Sequence, residues 1–351
     1  MFIKFIVSIG ISFLTAFIIT PFVRRFFISK SWVEDPIKKQ LKTQNATAQS
    51  TVPRGGGISI FIAIILTTII FIPMDKHLIG IIIAALLTII IGVWDDIKDI
   101  SPRLRLVTNL LSALIVVASG VGIAFISNPF GGIIDLSVYQ FNFNFIGPHS
   151  IWIISDLLAI FWIIWCMNII GWAGGVEGQL PGFVAISATF IGILGLRFSS
   201  DMAQWPVIIL AGSIAGAYLG FLPYNLFPQS IMIGYSGKSL AGFLLAVLAI
   251  LSGAKLATLI LLLGIPMLDA VFVLLRRFLS GRSLIKSDGQ HFHHLLLKYG
   301  WSKMNIAVFY WLISLFLGII SLYLNSQQKF YFFLGVAILF ASFTLKISRR
   351  I

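Results

Sequence analysis

Leu78-Ile79-Gly80-Ile81-Ile82-Ile83-Ala84-Ala85-Leu86-Leu87-Thr88-Ile89-Ile90-Ile91-Gly92-Val93-Trp94-Asp95-Asp96 decides the fold of this chain. An uncharged run of this length reads as a helix crossing a bilayer, which takes about 20 mostly apolar residues. It ends on two adjacent carboxylates, which repel each other and are avoided at a membrane rim unless a cation or a proton separates them. Such a pair can bind Mg2+ through oxygen or take a proton from a nucleophile. A solvated pair at a helix end would look the same.

The rest of the chain has the same character. Of its 351 residues 58% are hydrophobic and only 11% charged, with a mean hydropathy of +1.01, well outside the range of a soluble globule. About eleven apolar segments have suitable length: 5–23, 57–73, 77–94, 106–126, 151–170, 180–197, 205–222, 239–253, 256–275, 305–324 and 329–346. Two of them, 57–73 and 239–253, are short, so ten is the alternative count. Arg24 and Arg25 follow the first segment and no small-residue cleavage site is present, so it reads as a retained helix. The lone Cys166 lies in an apolar run and reads as a packing residue. We expect an all-α polytopic membrane protein with a single domain over 1–351.

Cations set the orientation. With loop 24–56 in the cytoplasm, loops 95–105, 171–179, 223–238 and 276–304 and the carboxyl terminus fall on the same side, and the amino terminus lies outside. Of the 25 Lys and Arg residues only Lys4, Lys76, Arg197, Lys255 and Lys329 fall on the other side, a strong positive-inside bias. The net charge of +13 therefore belongs to one face, which suits anionic lipid and an anionic substrate. The longest outer loop, 127–150, alternates enough from Ile133 to Phe143 to suggest a structural β-hairpin near 133–145.

The polar motifs gather on the cationic side. Arg54 stands beside Gly55-Gly56-Gly57, where backbone amides can approach an anion closely. Asp269 lies within an apolar span, seven residues before Arg276 and on nearly the same helix face; a buried ion pair would account for it equally well. Arg276, Arg277 and Arg282 carry planar forks suited to phosphate, although membrane-edge anchors would look alike. Asp288, His291, His293 and His294 place three of five histidines in one short stretch. Their spacing fits a loop wrapped on a polyanion better than a zinc site, which would need further ligands. His77 and His149 fall on the opposite side and read as bystanders.

In order and spacing these residues resemble the polyprenyl-phosphate N-acetylhexosamine-1-phosphate transferases, bacterial and eukaryotic membrane enzymes, over nearly the whole chain. Pro53-Arg54 with Gly56-Gly57 is similar to one family element, and Gly92 with Asp95-Asp96, Leu104 and Arg105 to its double-aspartate motif. Asn225 and Pro228 followed by Gly234 resemble a third element, and Pro266, Asp269, Arg276-Arg277, Asp288 and His291-x-His293-His294 the last. The His-x-His-His form is nearer the N-acetylglucosamine-1-phosphate branch than the muramoyl-pentapeptide branch. The resemblance implies transfer of a sugar 1-phosphate, N-acetylglucosamine 1-phosphate for this branch, from a UDP-sugar to polyprenyl phosphate with Mg2+, or Mn2+ as alternative, giving UMP. It implies Asp95 and Asp96 as catalytic, orienting or deprotonating the lipid phosphate. The histidines and Arg282 would hold the donor diphosphate, with Arg54, Asp269, Arg276, Arg277 and Asp288 also binding substrate. Asn168, Glu177 and Asn225 would line the nucleotide and metal site. Expected partners are the UDP-sugar, the lipid phosphate, a bacterial plasma membrane and a second copy in a homodimer, with no nucleic acid.

The chain departs from the pattern at four places. Where the family has Asn-x-x-Asp-Gly-x-Asp-Gly, Gly171, Gly174 and Glu177 stand for the Asn and the two Asp. Tyr235 occupies the position of an aspartate that is a main Mg2+ ligand, and a phenol with a pKa of about 10 is a poor ligand for a hard cation. The metal would then rest on Asp95, Asp96, Glu177 and the donor phosphates, since Mg2+ often needs only one or two protein carboxylates. Lys238 would add positive charge nearby. Two other readings stay open. One is a family member that binds lipid phosphate or nucleotide sugar without turnover. The other is a transporter or flippase, which Glu34, Asp35, Asp95, Asp96, Asp99, Glu177, Asp269 and Asp288, out of 12 acids, oppose by falling at or near one face.

Overall fold

In lipid, backbone N–H and C=O groups must bond within their own segment, so uncharged runs become helices. The computed structural model describes residues 1–34, 51–144, 148–253, 255–281 and 291–348. Among these residues the helices are α1 (Phe2–Ser29), α2 (Gly56–Phe71), α3 (Lys76–Lys98), α4 (Pro102–Ala118), α5 (Ile153–Ala173), α6 (Gln179–Leu196), α7 (Trp205–Asn225), α8 (Gly234–Leu251), α9 (Leu256–Leu262), α10 (Gly264–Leu279), α11 (Phe292–Lys298), α12 (Lys303–Tyr323) and α13 (Ser326–Ser348). Each of the eleven expected apolar segments is helical over most of its length.

The expected count needs adjusting. Among the described residues eight helices are long and apolar enough to cross a membrane, or nine if α9 and α10, bent by 83° across Leu263, form one span. At 16 and 17 residues, α2 and α4 fall short. Pro73 follows α2, and Gly120 at φ 101° follows α4, so the apolar stretches outrun the helices.

The buried centre is α6, α7 and α8. α1 lies along α7, where Gly212, Gly216 and Gly220 present a groove of small residues four apart. A Cβ at Gly216 would come within 2.2 Å of the Ile9 carbonyl oxygen, and one at Gly220 within 2.2 Å of that of Phe13. The Ser12 hydroxyl locks this contact by donating to the Ser213 carbonyl at 2.6 Å. α7 is thereby held in place, and with it the Asn225 that ends it.

Three small antiparallel ribbons complete the described chain. β1 (Val33–Glu34) pairs with β2 (Val52–Pro53), which sets Glu34 beside Arg54. The single hairpin expected near 133–145 is instead two: β3 (Phe125–Ser127) with β4 (Ile133–Asp135), and β5 (Gln140–Asn144) with β6 (Pro148–Trp152). Asp135 is the reason. Its carboxylate takes the Ser137 amide at 2.8 Å and the Ser137 hydroxyl at 2.6 Å, turning the chain where the alternation would have continued.

Candidate active site

Asp95 and Asp96 end α3, and the helical twist sends them to different partners. Asp96 faces the N-terminus of α8. Its Oδ1 accepts from the Tyr235 amide at 2.5 Å, and its Oδ2 from the Ser236 amide at 3.3 Å and the Ser236 hydroxyl at 2.5 Å. Arg54 Nε stands 3.8 Å from Oδ1. A carboxylate suits the electropositive end of a helix, and here both of its oxygens are engaged. Gly234 makes the approach feasible: its φ is 71°, and a Cβ there would sit 2.2 Å from Asp96 Oδ2. Both oxygens of Asp96, expected to serve a metal, are engaged here as the cap of α8. Asp95 is different. Its Oδ1 accepts from Arg105 Nε at 2.7 Å and the Ile100 amide at 3.1 Å, while Oδ2 is buried with no partner.

Arg54 bonds Asp99 at 2.8 Å and lies 3.3 Å from Glu34. Burial alone would lower its pKa, but the attraction of Asp96, Glu34 and Asp99 outweighs burial and holds the guanidinium above its ordinary value. Each neighbouring glycine abuts another part of the chain. The Gly56 amide donates to the Met232 carbonyl at 3.0 Å, and a Cβ at Gly57 would strike Ser236 Oγ at 2.3 Å, so these glycines let α2 abut the start of α8. Tyr235 is held at both ends: its hydroxyl donates to Asn109 Oδ1 at 3.2 Å, and the Arg105 guanidinium covers its ring at 4.9 Å.

The loop after α5 meets the histidine segment. Glu177 Oε1 receives the Lys303 ammonium at 2.8 Å, and its Oε2 is buried without a partner. Asn225 accepts from the Gly178 amide at 3.1 Å and donates to Gln229 at 2.8 Å and the Ile231 carbonyl at 3.1 Å, stitching two loops together. Lys238 Nζ donates to the Gly174 carbonyl at 2.5 Å. Asp269 takes His291 Nδ1 at 2.8 Å on one oxygen and the Phe292 amide at 2.8 Å on the other, so it anchors the start of α11. Trp172, His291 and His293 stack in succession at 6.0 and 5.9 Å, with His294 4.2 Å beyond. A Cβ at Gly175 would lie 1.9 Å from His293 Nε2, which binds this loop to glycine. Burial, then the charges of His294, His291 and Lys238, hold His293 well below its ordinary pKa, so it is neutral.

Other expected residues fall elsewhere. Asn168 donates to Ile164 of its own helix at 2.8 Å and does not line the cleft described below. Arg277 is buried and Arg276 half-buried in the last turn of α10. Arg282 and Asp288 lie outside the described residues. Glu34, Arg105, Gln229 and Lys303 join the site without having been singled out for it. Arg105 stood within the double-aspartate motif, whereas nothing near Lys303 in sequence pointed to a residue 126 positions away.

Glu34, Arg54, Arg105, Glu177, Asn225 and Lys238 supply charged and polar walls to a cleft of about 890 Å3, open solvent included, and Gly174, Gly175 and Tyr235 line it too. The glycosyl transferase family 4 model matches residues 78–253, half of the chain and most of this cleft. The chain belongs to glycosyl transferase family 4. It is 27% identical over 332 residues to a probable undecaprenyl-phosphate N-acetylglucosaminyl 1-phosphate transferase of Bacillus subtilis, covering 92% of this chain and 86% of the relative. It is 28% identical to a phospho-N-acetylmuramoyl-pentapeptide-transferase of Caldanaerobacter subterraneus, covering 91% of this chain and 96% of that protein. A decaprenyl-phosphate N-acetylglucosaminephosphotransferase of Mycobacterium leprae is 27% identical over 66% of this chain and 60% of its own.

This glycosyl transferase family 4 chain can be tested for the Mg2+ that the resemblance implies. Among the described residues no three of His, Cys, Asp and Glu come together to hold a metal. Asp96 is consumed by α8, Tyr235 by Asn109 and Arg105, and Glu177 already faces an ammonium. Two orphaned carboxylate oxygens, Asp95 Oδ2 and Glu177 Oε2, remain, each on a carboxylate whose other oxygen meets a cation. Among the described residues no cluster of three ligands forms a divalent-cation site, and these two oxygens are all that the expected ligands leave to one.

Proposed function

We propose that the chain transfers N-acetylglucosamine 1-phosphate from its UDP-sugar to polyprenyl phosphate at the cytoplasmic face of a bacterial plasma membrane. The products are polyprenyl-diphosphate-N-acetylglucosamine and UMP, and the step starts a cell-wall or surface polysaccharide. The observation that carries this reading is the cleft itself. Segments as far apart as Glu34, Arg105, Glu177 and Lys238 meet in one charged recess, with the histidine ladder packed on its glycine loop. Two polyanions need fixed positive charge and in-line placement more than they need a strong base.

Roles follow from what each group has left to offer. The lipid phosphate has a second pKa near about 6, so at most one proton must be removed. Asp95 Oδ2 is the described oxygen of the pair left to take it, while Arg105 steadies the other oxygen. With Asp269 accepting at His291 Nδ1, Nε2 is the ring nitrogen of His291 left for the donor phosphates. Tyr235, Asn109 and Arg105 together fix the wall beside the acid pair. Family 4 membership and the names of the three relatives favour this chemistry over binding alone.

The test is a purified-protein assay with labelled UDP-N-acetylglucosamine and polyprenyl phosphate, run with and without divalent metal. Labelled lipid and stoichiometric UMP are expected. Binding of both substrates with no product under any condition would leave a binding protein in place of a transferase.

A further inference from the structure

Position 174 and the Lys238 side chain compete for one place in the cleft. A Cβ on Gly174 would stand 3.1 Å from Lys238 Cε and 2.7 Å from Leu180 Cδ1, so the lysine stem fills the room into which a side chain at 174 would extend. Nζ is fixed on the carbonyl of Gly174 itself at 2.5 Å. The next residue, Gly175, packs on His293, a Cβ there standing 1.9 Å from Nε2. The lysine head therefore lies against the glycine loop on which the histidine ladder packs, where the transfer reading puts the donor diphosphate. Around it, of the carboxylate oxygens on which a metal would rest, only Asp95 Oδ2 and Glu177 Oε2 are without a partner among the described residues. Asp96 caps α8, the phenol of Tyr235 is bonded to Asn109, and Glu177 is paired with Lys303.

We propose that the Lys238 ammonium meets the donor diphosphate as the fixed cation of this cleft, in place of a carboxylate-held divalent metal, so that transfer proceeds without added divalent ion. The proposal rests on the transfer reading above. In the step, an oxygen of the dianionic lipid phosphate forms a bond to the phosphorus that bears the sugar. The bond from that phosphorus to the oxygen bridging the two donor phosphates breaks, and the electron pair leaves with UMP. Four negative charges enter and four leave, with no net proton. Lys238 neutralises the donor oxygens that gain charge as the bridge opens, a task for which a preorganised cation is worth about 10²–10³-fold in rate.

The experiment uses the full chain in detergent after EDTA treatment. Labelled transfer is measured in EDTA and in Mg2+, and UDP binding is titrated calorimetrically in the same two buffers. Transfer and the UDP Kd are expected to be the same in both. Lys238→Met is expected to lower turnover by about 10²–10³-fold, with no rescue by Mg2+, and to weaken UDP binding by about tenfold or more. Lys238→Arg, which keeps the charge, should retain UDP binding. If the unmodified chain binds UDP only with Mg2+, or loses transfer in EDTA and regains it with Mg2+, the proposal is overturned and the transfer reading stands. No product in either buffer defeats the transfer reading itself.

Discussion

The two ends of the helical bundle carry the same kinds of cation and settle them differently. At the cleft end Arg54 meets Asp99 and Glu34, Arg105 meets Asp95, and Lys303 meets Glu177. At the other end Lys329, only 7% exposed, donates to the Thr258 hydroxyl at 2.8 Å. Lys255 there reaches Gln204 at 3.4 Å and lies over the Phe198 ring, and Arg197 bonds the Leu322 carbonyl. None of these three stands in an ion pair among the described residues. Burial of charge therefore does not mark the site. What marks it is acid interleaved with base at fixed positions, a polar framework set before a substrate arrives.

That contrast can be broken most severely at Asp96. In Asp96→Asn an amide replaces the carboxylate at the amides of Tyr235 and Ser236, leaving Arg54 without one of its partners. Transfer should fall below detection, with a loss of stability on the order of 3–5 kcal/mol. Thermal unfolding in detergent beside the labelled-lipid assay measures both. An unchanged Tm would mean that Asp96 is not the cap of α8.

A paired substitution sharpens the comparison. Lys303→Met leaves the Glu177 carboxylate buried against no cation and should cost about 3 kcal/mol, whereas Lys255→Met on the far side should leave Tm unchanged or raise it. Equal shifts for the two would erase the distinction drawn between the ends. Gly175→Ala comes next. The added methyl needs the place of His293 Nε2, and displacing that ring by about 1 Å should slow transfer about 10²-fold. Its far-side counterpart Gly253→Ala has open space around the Cβ position, so any cost there comes from its φ of 78° and should appear in Tm and not in turnover.

The smallest effect is a dependence on pH. Burial pushes the Lys255 pKa down to about 8 from 10.5. The fold thus favours the neutral amine, and the cost of holding it charged is full below pH 8 and gone above pH 10.5. Any Tm advantage of Lys255→Met at pH 7 should shrink across that interval. A constant advantage would assign it to packing.

Much of this was legible in the chain itself, because a bilayer enforces a simple rule. Runs such as Leu78–Trp94 must be helical, and polar motifs must gather where water is. The gathering of Arg54, Glu177, Asn225 and Tyr235 around one cleft follows from that segregation. What stayed hidden depends on contacts between residues far apart in sequence. Asp95 and Asp96 look alike in a row of letters, yet one keeps an unengaged oxygen and the other is closed by residues 139 and 140 positions away. The same holds for Lys303 on Glu177, and for the glycines beside Arg54, whose composition suggests an anion cradle and whose neighbours make them helix spacers. The outer ribbon divided for a local reason, the Asp135 turn, which an alternating pattern does not reveal.

The most direct test sets the two ends against each other in a single assay. Unmodified, Asp95→Asn and Lys255→Met chains are purified, shown to unfold cooperatively, and given labelled UDP-N-acetylglucosamine with polyprenyl phosphate. The account expects labelled lipid from the unmodified and Lys255→Met chains and none from Asp95→Asn. Product from Asp95→Asn at the unmodified rate would contradict it.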